Sequence, residues 1–146
     1  MKHYALLLIG LLSVIGLVSC EFETLDNGRL DGYWQMARID TLRGGGRDVV
    51  KARLFWSVQG NLLQTSDLTY RLPTCLFRFA RVGDGELRVY DPHLLDRQQG
   101  DRPVTDTTLL RPYGIQQLEE RFIIERLDHD HLQLCGPTLR LTFNRY

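Results

Sequence analysis

Leu30-Asp31-Gly32-Tyr33-Trp34-Gln35 is the stretch on which the fold turns. A glycine stands two places before a tryptophan, and residues 33–40 alternate loosely. Trp34 and Met36 share one face; Tyr33, Gln35 and Ala37 share the other. A period of two is the mark of a β-strand with one buried side. Gly32 reaches backbone angles closed to residues with a Cβ, so the chain can turn sharply there. Trp34 then carries a broad flat ring to the floor of a core.

The rest of the chain repeats the strand pattern. Leu54, Trp56 and Val58 alternate, and Gly60-Asn61 turns the chain into residues 62–65, a strong hairpin signal. Residues 68–72 offer a short further strand before Pro73. Residues 75–82 put Phe77 and Phe79 on one face, and Gly83-Asp84-Gly85 leads into residues 86–90. Residues 91–117 differ: Pro92, Pro103 and Pro112 interrupt them, and a connection this long is functional or flexible in most proteins. Within it, a strand is expected over 104–110 and a single helical turn over 115–120. Residues 122–127, 131–135 and 139–144 close the chain as a meander. About eight short strands without a long helix predict an all-β fold: a small antiparallel up-and-down eight-stranded barrel, which leaves no exposed sheet edge.

The first residues read as an address. Met1-Lys2-His3-Tyr4 carries one firm positive charge, and residues 5–18 are uncharged and mostly apolar. That run is shorter than the ~20 residues of a membrane-spanning helix and has the form of a secretory leader. Leu17-Val18-Ser19-Cys20 resembles the lipobox of bacterial lipoproteins, which implies cleavage before Cys20 and acylation of its thiol. Two or more acyl chains anchor stably, each buried methylene contributing about 0.8 kcal/mol. The expected organisation is a signal peptide at 1–19, a lipidated tether at 20–29 and a barrel at 30–146. Glu21 stands where an aspartate would resemble an inner-membrane retention signal, so the outer membrane is the expected location.

Charge excludes some partners. The 146 residues balance 18 basic against 18 acidic side chains, and loss of Lys2 with the leader leaves a net charge of about −1. Nucleic acid and anionic membrane surfaces are therefore not the expected partners. Cys75 and Cys135 remain after lipidation, either as a candidate disulfide in an oxidising compartment or as two separate buried thiols. His129 and His131 flank Asp130 in a turn, with no third ligand at a diagnostic spacing, so no metal is expected. Glu119 and Glu120 are neighbours that point apart. Ser57 and Ser66 lie outside any nucleophile elbow. Neither an enzyme nor a cofactor is expected.

The Gly32-x-Trp34 opening resembles the signature of lipocalin and calycin barrels, in which the tryptophan plugs the closed end and an arginine from the last strand packs across it. Arg140 and Arg145 are the candidates. Arg145 shares the inward parity of Leu141 and Phe143, whereas Arg140 does not. The whole mature chain resembles uncharacterised lipocalin-like lipoproteins of Gram-negative gut anaerobes. The lipobox, the 30–35 stretch, Leu110-Arg111-Pro112-Tyr113-Gly114-Ile115 and the ending at 139–146 carry that likeness. One expected function is a tethered binder of a small apolar or amphipathic molecule; Trp34, Met36, Trp56, Phe77 and Phe79 are its candidate cavity lining or simply fill the barrel, and the short strands favour a filled or shallow interior. The alternative is an envelope interaction module with a filled barrel. Cys20→Ala should abolish incorporation of labelled palmitate and move the protein out of the membrane fraction. A variant that still pellets with membranes removes the anchor.

Overall fold

The structure is a computed structural model that describes residues 26–146. The leader, Cys20 and the first part of the expected tether lie outside the described residues. Among the described residues no helix is long and apolar enough to cross a membrane.

Eight strands close a barrel: β1 (Gly32–Thr41), β3 (Leu54–Gln59), β4 (Leu62–Asp67), β5 (Cys75–Val82), β6 (Glu86–Leu94), β8 (Glu120–Leu127), β9 (His131–Cys135) and β10 (Leu139–Arg145). Two short accessory strands, β2 (Gly46–Asp48) and β7 (Arg102–Pro103), pair with β1 and β6. Every described pairing is antiparallel, each barrel strand pairs with the next along the chain, and β10 returns to pair with β1. Residues 68–72 form a turn rather than a strand. The expected strand at 104–110 is instead a loop carrying the 3-10 turn Thr107–Leu109, and in place of the helical turn expected over 115–120 the chain is irregular over 115–119 and enters β8 at Glu120.

Alternation sets the interior. Trp34, Met36, Trp56, Val58, Leu63, Phe77, Leu87, Val89, Phe122, Leu132, Leu141 and Phe143 belong to a single buried cluster. A register shift between Met36 and Arg38 adds one residue to β1, which returns Ile39 to the inner face after Met36. Trp56 packs edge-on to Phe122 at 5.8 Å and tilted against Phe143 at 5.1 Å, so three rings span the middle of the barrel.

One end is closed by a cation laid over a ring. The Arg145 guanidinium lies 4.1 Å above the Trp34 ring. It donates to the carbonyls of Asp31 (3.0 Å), Arg29 (2.7 Å) and His129. Trp34 Nε1 donates to the Leu30 carbonyl at 2.9 Å. Gly32 has φ 136°, and a Cβ there would sit 2.3 Å from Arg145 Nη1, so only glycine leaves the guanidinium its path. Arg140 points to the outer wall and forms a bidentate pair with Glu125 at 2.6 and 2.9 Å. The last residues of the expected tether belong to this closure: Asn27 Nδ2 donates to Gly60 O at 2.8 Å, and the Arg29 carbonyl accepts from Arg145.

The two arginines differ in what their loss exposes. Trp34→Ala should cost about 3–5 kcal/mol, the range for deleting a buried aromatic. Arg145→Ala should cost about 1.5–3 kcal/mol, since charged hydrogen bonds to carbonyls and a cation–π contact go together. Arg140→Ala should cost clearly less than Arg145→Ala, because its pair with Glu125 is partly solvated. Urea unfolding of the three variants measures the order; equal losses for the two arginines would remove the closure from the account.

Candidate functional site

The opposite end collects the strand termini Thr41, Leu54, Asp67, Cys75, Leu94, Glu120, Cys135 and Leu139. The connection from β6 to β8 folds across this mouth. Val104 N donates to Pro92 O at 2.8 Å, and the Asp106 carboxylate caps the first 3-10 turn by accepting from Thr108 N at 2.9 Å. A second 3-10 turn, Arg111–Tyr113, carries Pro112 in its first positions, where a missing N–H costs nothing. The connection buries Val104, Leu110, Tyr113 and Ile115.

This plug is bonded as well as packed. Trp56 Nε1 donates to Tyr113 O at 3.1 Å, and the Tyr113 hydroxyl donates to Pro73 O at 2.8 Å. Gly114 has φ 81°, and a Cβ there would meet Leu141 Cδ2 at 2.5 Å, so the backbone lies directly on the core. The Glu120 carboxylate accepts from the backbone N–H groups of Gln116 and Gln117. Burial is the dominant influence on Glu120 and raises its pKa against those two bonds. Burial also pushes the Tyr113 phenol up, so it stays a neutral donor.

The plug decides between the two readings of the inward aromatic residues. Trp34 and Met36 are 0% exposed, Trp56 and Phe77 1%, and Phe79 9%; they fill the barrel instead of lining an open lumen. The reason is occupancy: Leu110, Tyr113 and Ile115 join the same apolar cluster from above. Phe79 and Phe77 border surface hollows, at the closed end and on the outer wall respectively. Sequence reasoning missed the plug. Its signal was present, since Val104, Leu110, Tyr113 and Ile115 are apolar residues at uneven spacing in a polar, proline-broken segment.

Beside the plug the mouth stays open. A hollow of about 520 Å³ lies between the β1–β2 loop and the plug, lined by Ile39, Thr41, Gly44, Gly45, Gly46, Arg47, Arg111, Gln116 and Leu139. A neighbouring hollow of about 470 Å³ shares Arg47 and adds Leu54, Asp67, Arg71 and Pro112. Burial works to raise the Asp67 pKa, but the Thr69 hydroxyl and the N–H groups of Thr69, Arg71 and Leu72 hold it below the usual range. It organises the β4–β5 loop.

The remaining candidates are accounted for by local structure. Cys75 and Cys135 are free, which corrects the candidate disulfide. Cys75 is buried on β5 and Cys135 lies on β9, strands that are not neighbours in the sheet. Burial pushes the Cys75 thiol up to about 11, which removes its nucleophilic form at neutral pH. His129 Nδ1 meets Asp130 at 2.8 Å, and Asp128 binds the turn through the N–H groups of Asp130 and His131. Among the described residues there is no group of three or more His, Cys, Asp or Glu able to hold a metal. Glu119 pairs with Arg88 outside the barrel at 2.7 Å, while Glu120 points in.

A closed up-and-down barrel with a cation over its floor tryptophan defines a calycin-type protein, and comparison specifies which. The chain belongs to the lipocalin-like domain family, whose model matches residues 15–146. A lipocalin-like protein from Bacteroides uniformis has a similar solved structure, with TM-score 0.62 and 20% identity over 82% of this chain and 100% of that one. An uncharacterized protein from Bacteroides eggerthii is similar at TM-score 0.58 and 14% identity, over 80% of this chain and 98% of its own. No curated protein matches.

Glu120, which accepts from the plug at Gln116 and Gln117, makes that contact testable by pH. A carboxyl whose pKa is raised by folding stabilises the fold fully below its ordinary value of about 4.3, and that contribution is lost as pH rises through the raised value. Glu120→Gln keeps an acceptor without the charge. Its stability relative to the unmodified chain should therefore increase with pH above that ordinary value and then level off. Thermal melts in parallel from about pH 4 to pH 8 read this difference; curves that stay parallel rule out a perturbed Glu120.

Proposed function

We propose that this chain is a lipid-anchored envelope protein without catalytic activity that holds a small apolar or amphipathic molecule in the open part of its barrel mouth. The observation that carries the reading is the hollow of about 520 Å³ beside the plug. Its size falls within the roughly 300–1,000 Å³ of small-molecule sites. Buried Ile39 and half-buried Leu139 supply an apolar floor, and Thr41 and Gln116 supply neutral polar groups. Orientation supports the anchor. Asn27 is bonded at the closed end, and the seven residue steps back to Cys20 span at most ~25 Å of extended chain. An acylated Cys20 would hold the closed end toward the outer membrane and the mouth away from it.

A second reading has its own observation. On the outer wall Tyr33 stacks on Phe55 at 4.9 Å, and Tyr146 packs edge-on to Phe55 at 5.0 Å while remaining 68% exposed. An exposed aromatic group on a sheet face suits a protein contact, as an envelope interaction module would need.

The test titrates the mature chain carrying Cys20→Ala with fatty acids, bile acids and haem, followed by calorimetry. Saturable binding that disappears in Thr41→Trp, which fills the hollow from its rim, supports the mouth as the site. Silence from every compound moves the assignment to the interaction module.

A further inference from the structure

We infer that the mouth hollow selects anions, and that Arg47 and Arg111 form a paired guanidinium site for the oxyanion head of an amphipathic ligand. This rests on the mouth-binding reading and narrows it to a ligand class. The two arginines come from opposite walls: Arg47 from β2 beside the glycine loop, Arg111 from the plug. No acidic residue lines the hollow.

Carboxylates on the adjoining elements are held by other groups; Glu120, for one, accepts from the N–H groups of Gln116 and Gln117. Asp40 lies against Gly46 but is paired with Arg38 at 2.8 Å. Asp48 accepts from Val50 N at 2.9 Å, and Asp67 is saturated by its own loop. Asp106 is lowered first by its bonds from Thr108, and Arg111 acts on it only through longer-range attraction. Elsewhere most of the arginines on strands are matched: Arg38, Arg78, Arg81, Arg88, Arg102, Arg121, Arg126 and Arg140 each stand within 4.0 Å of a carboxylate. Arg47 and Arg111 form no such pair among the described residues.

Two exposed guanidiniums without counter-ions on one apolar-floored hollow provide what a carboxylate or phosphate head requires. The planar fork binds either oxyanion through two parallel hydrogen bonds. The apolar body of the ligand would then lie on Ile39 and Leu139. Gly44 and Gly45 present no side chain to that space, and a Cβ at either would meet nothing within 4 Å. The loop wall is thus open to a ligand body.

The experiment uses the mature chain carrying Cys20→Ala and four probes of one chain length: decanoate, decyl phosphate, decanol and decyltrimethylammonium. Decanoate or decyl phosphate should bind at least tenfold more tightly than decanol, with the ammonium weakest; the tighter of the two anions identifies the head group. Arg47→Gln and Arg111→Gln should each shrink the anion-to-alcohol ratio severalfold, and the double variant should bring it to about one. Circular dichroism confirms that the variants are folded; should they not be, the ratio for the unmodified chain still decides. Equal affinity for anion and alcohol overturns the anion site while leaving mouth binding intact. Binding of none of the four overturns both.

Discussion

The contact between Arg145 and Trp34 is the constraint from which the barrel is built. It ties the last strand to the first and brings the chain entry at Arg29 and Asp31 under the same guanidinium. A cation over a tryptophan face is attracted by the ring quadrupole, and the attraction strengthens where water is excluded. The three carbonyl acceptors satisfy the guanidinium donors that the ring leaves unmet. Gly32 follows from this, because the guanidinium occupies the space a Cβ would need. Closure, entry turn and floor are one arrangement.

The other end is closed by different means. The plug is a connection that contributes Leu110, Tyr113 and Ile115 to the core and spends its polar groups on Trp56, Pro73 and Glu120. A barrel of eight strands is wide enough either to be filled by side chains or to hold one small ligand. Here the plug joins the rings of Trp56, Phe122 and Phe143 to fill it. Space for a ligand is thereby displaced from the lumen to the gap between the plug and the β1–β2 loop, where the lining changes from aromatic to arginine and glycine.

Much of this was legible in the sequence. A strand's side chains alternate with a period of two whatever the strand packs against. The inner faces of 33–40, 54–58, 75–82 and 139–144 could therefore be read from residue types alone, whereas the placing of Gly32, Trp34 and Arg145 at one barrel end was what the resemblance to lipocalin barrels implied.

Tertiary structure decided what no period encodes. Whether Trp56 and Phe77 bound a cavity or fill a core depends on what enters from the mouth, and the entering residues sit in a segment without periodicity. Cys75 and Cys135 could be judged only once β5 and β9 were placed in the closed sheet. Arg47 and Arg111 look like any of the scattered arginines until the plug swings one across the mouth from the other. Alternation is a local property of the backbone, so it survives in the sequence. Occupancy and charge pairing are relations between distant segments, and only the closed barrel brings those segments together.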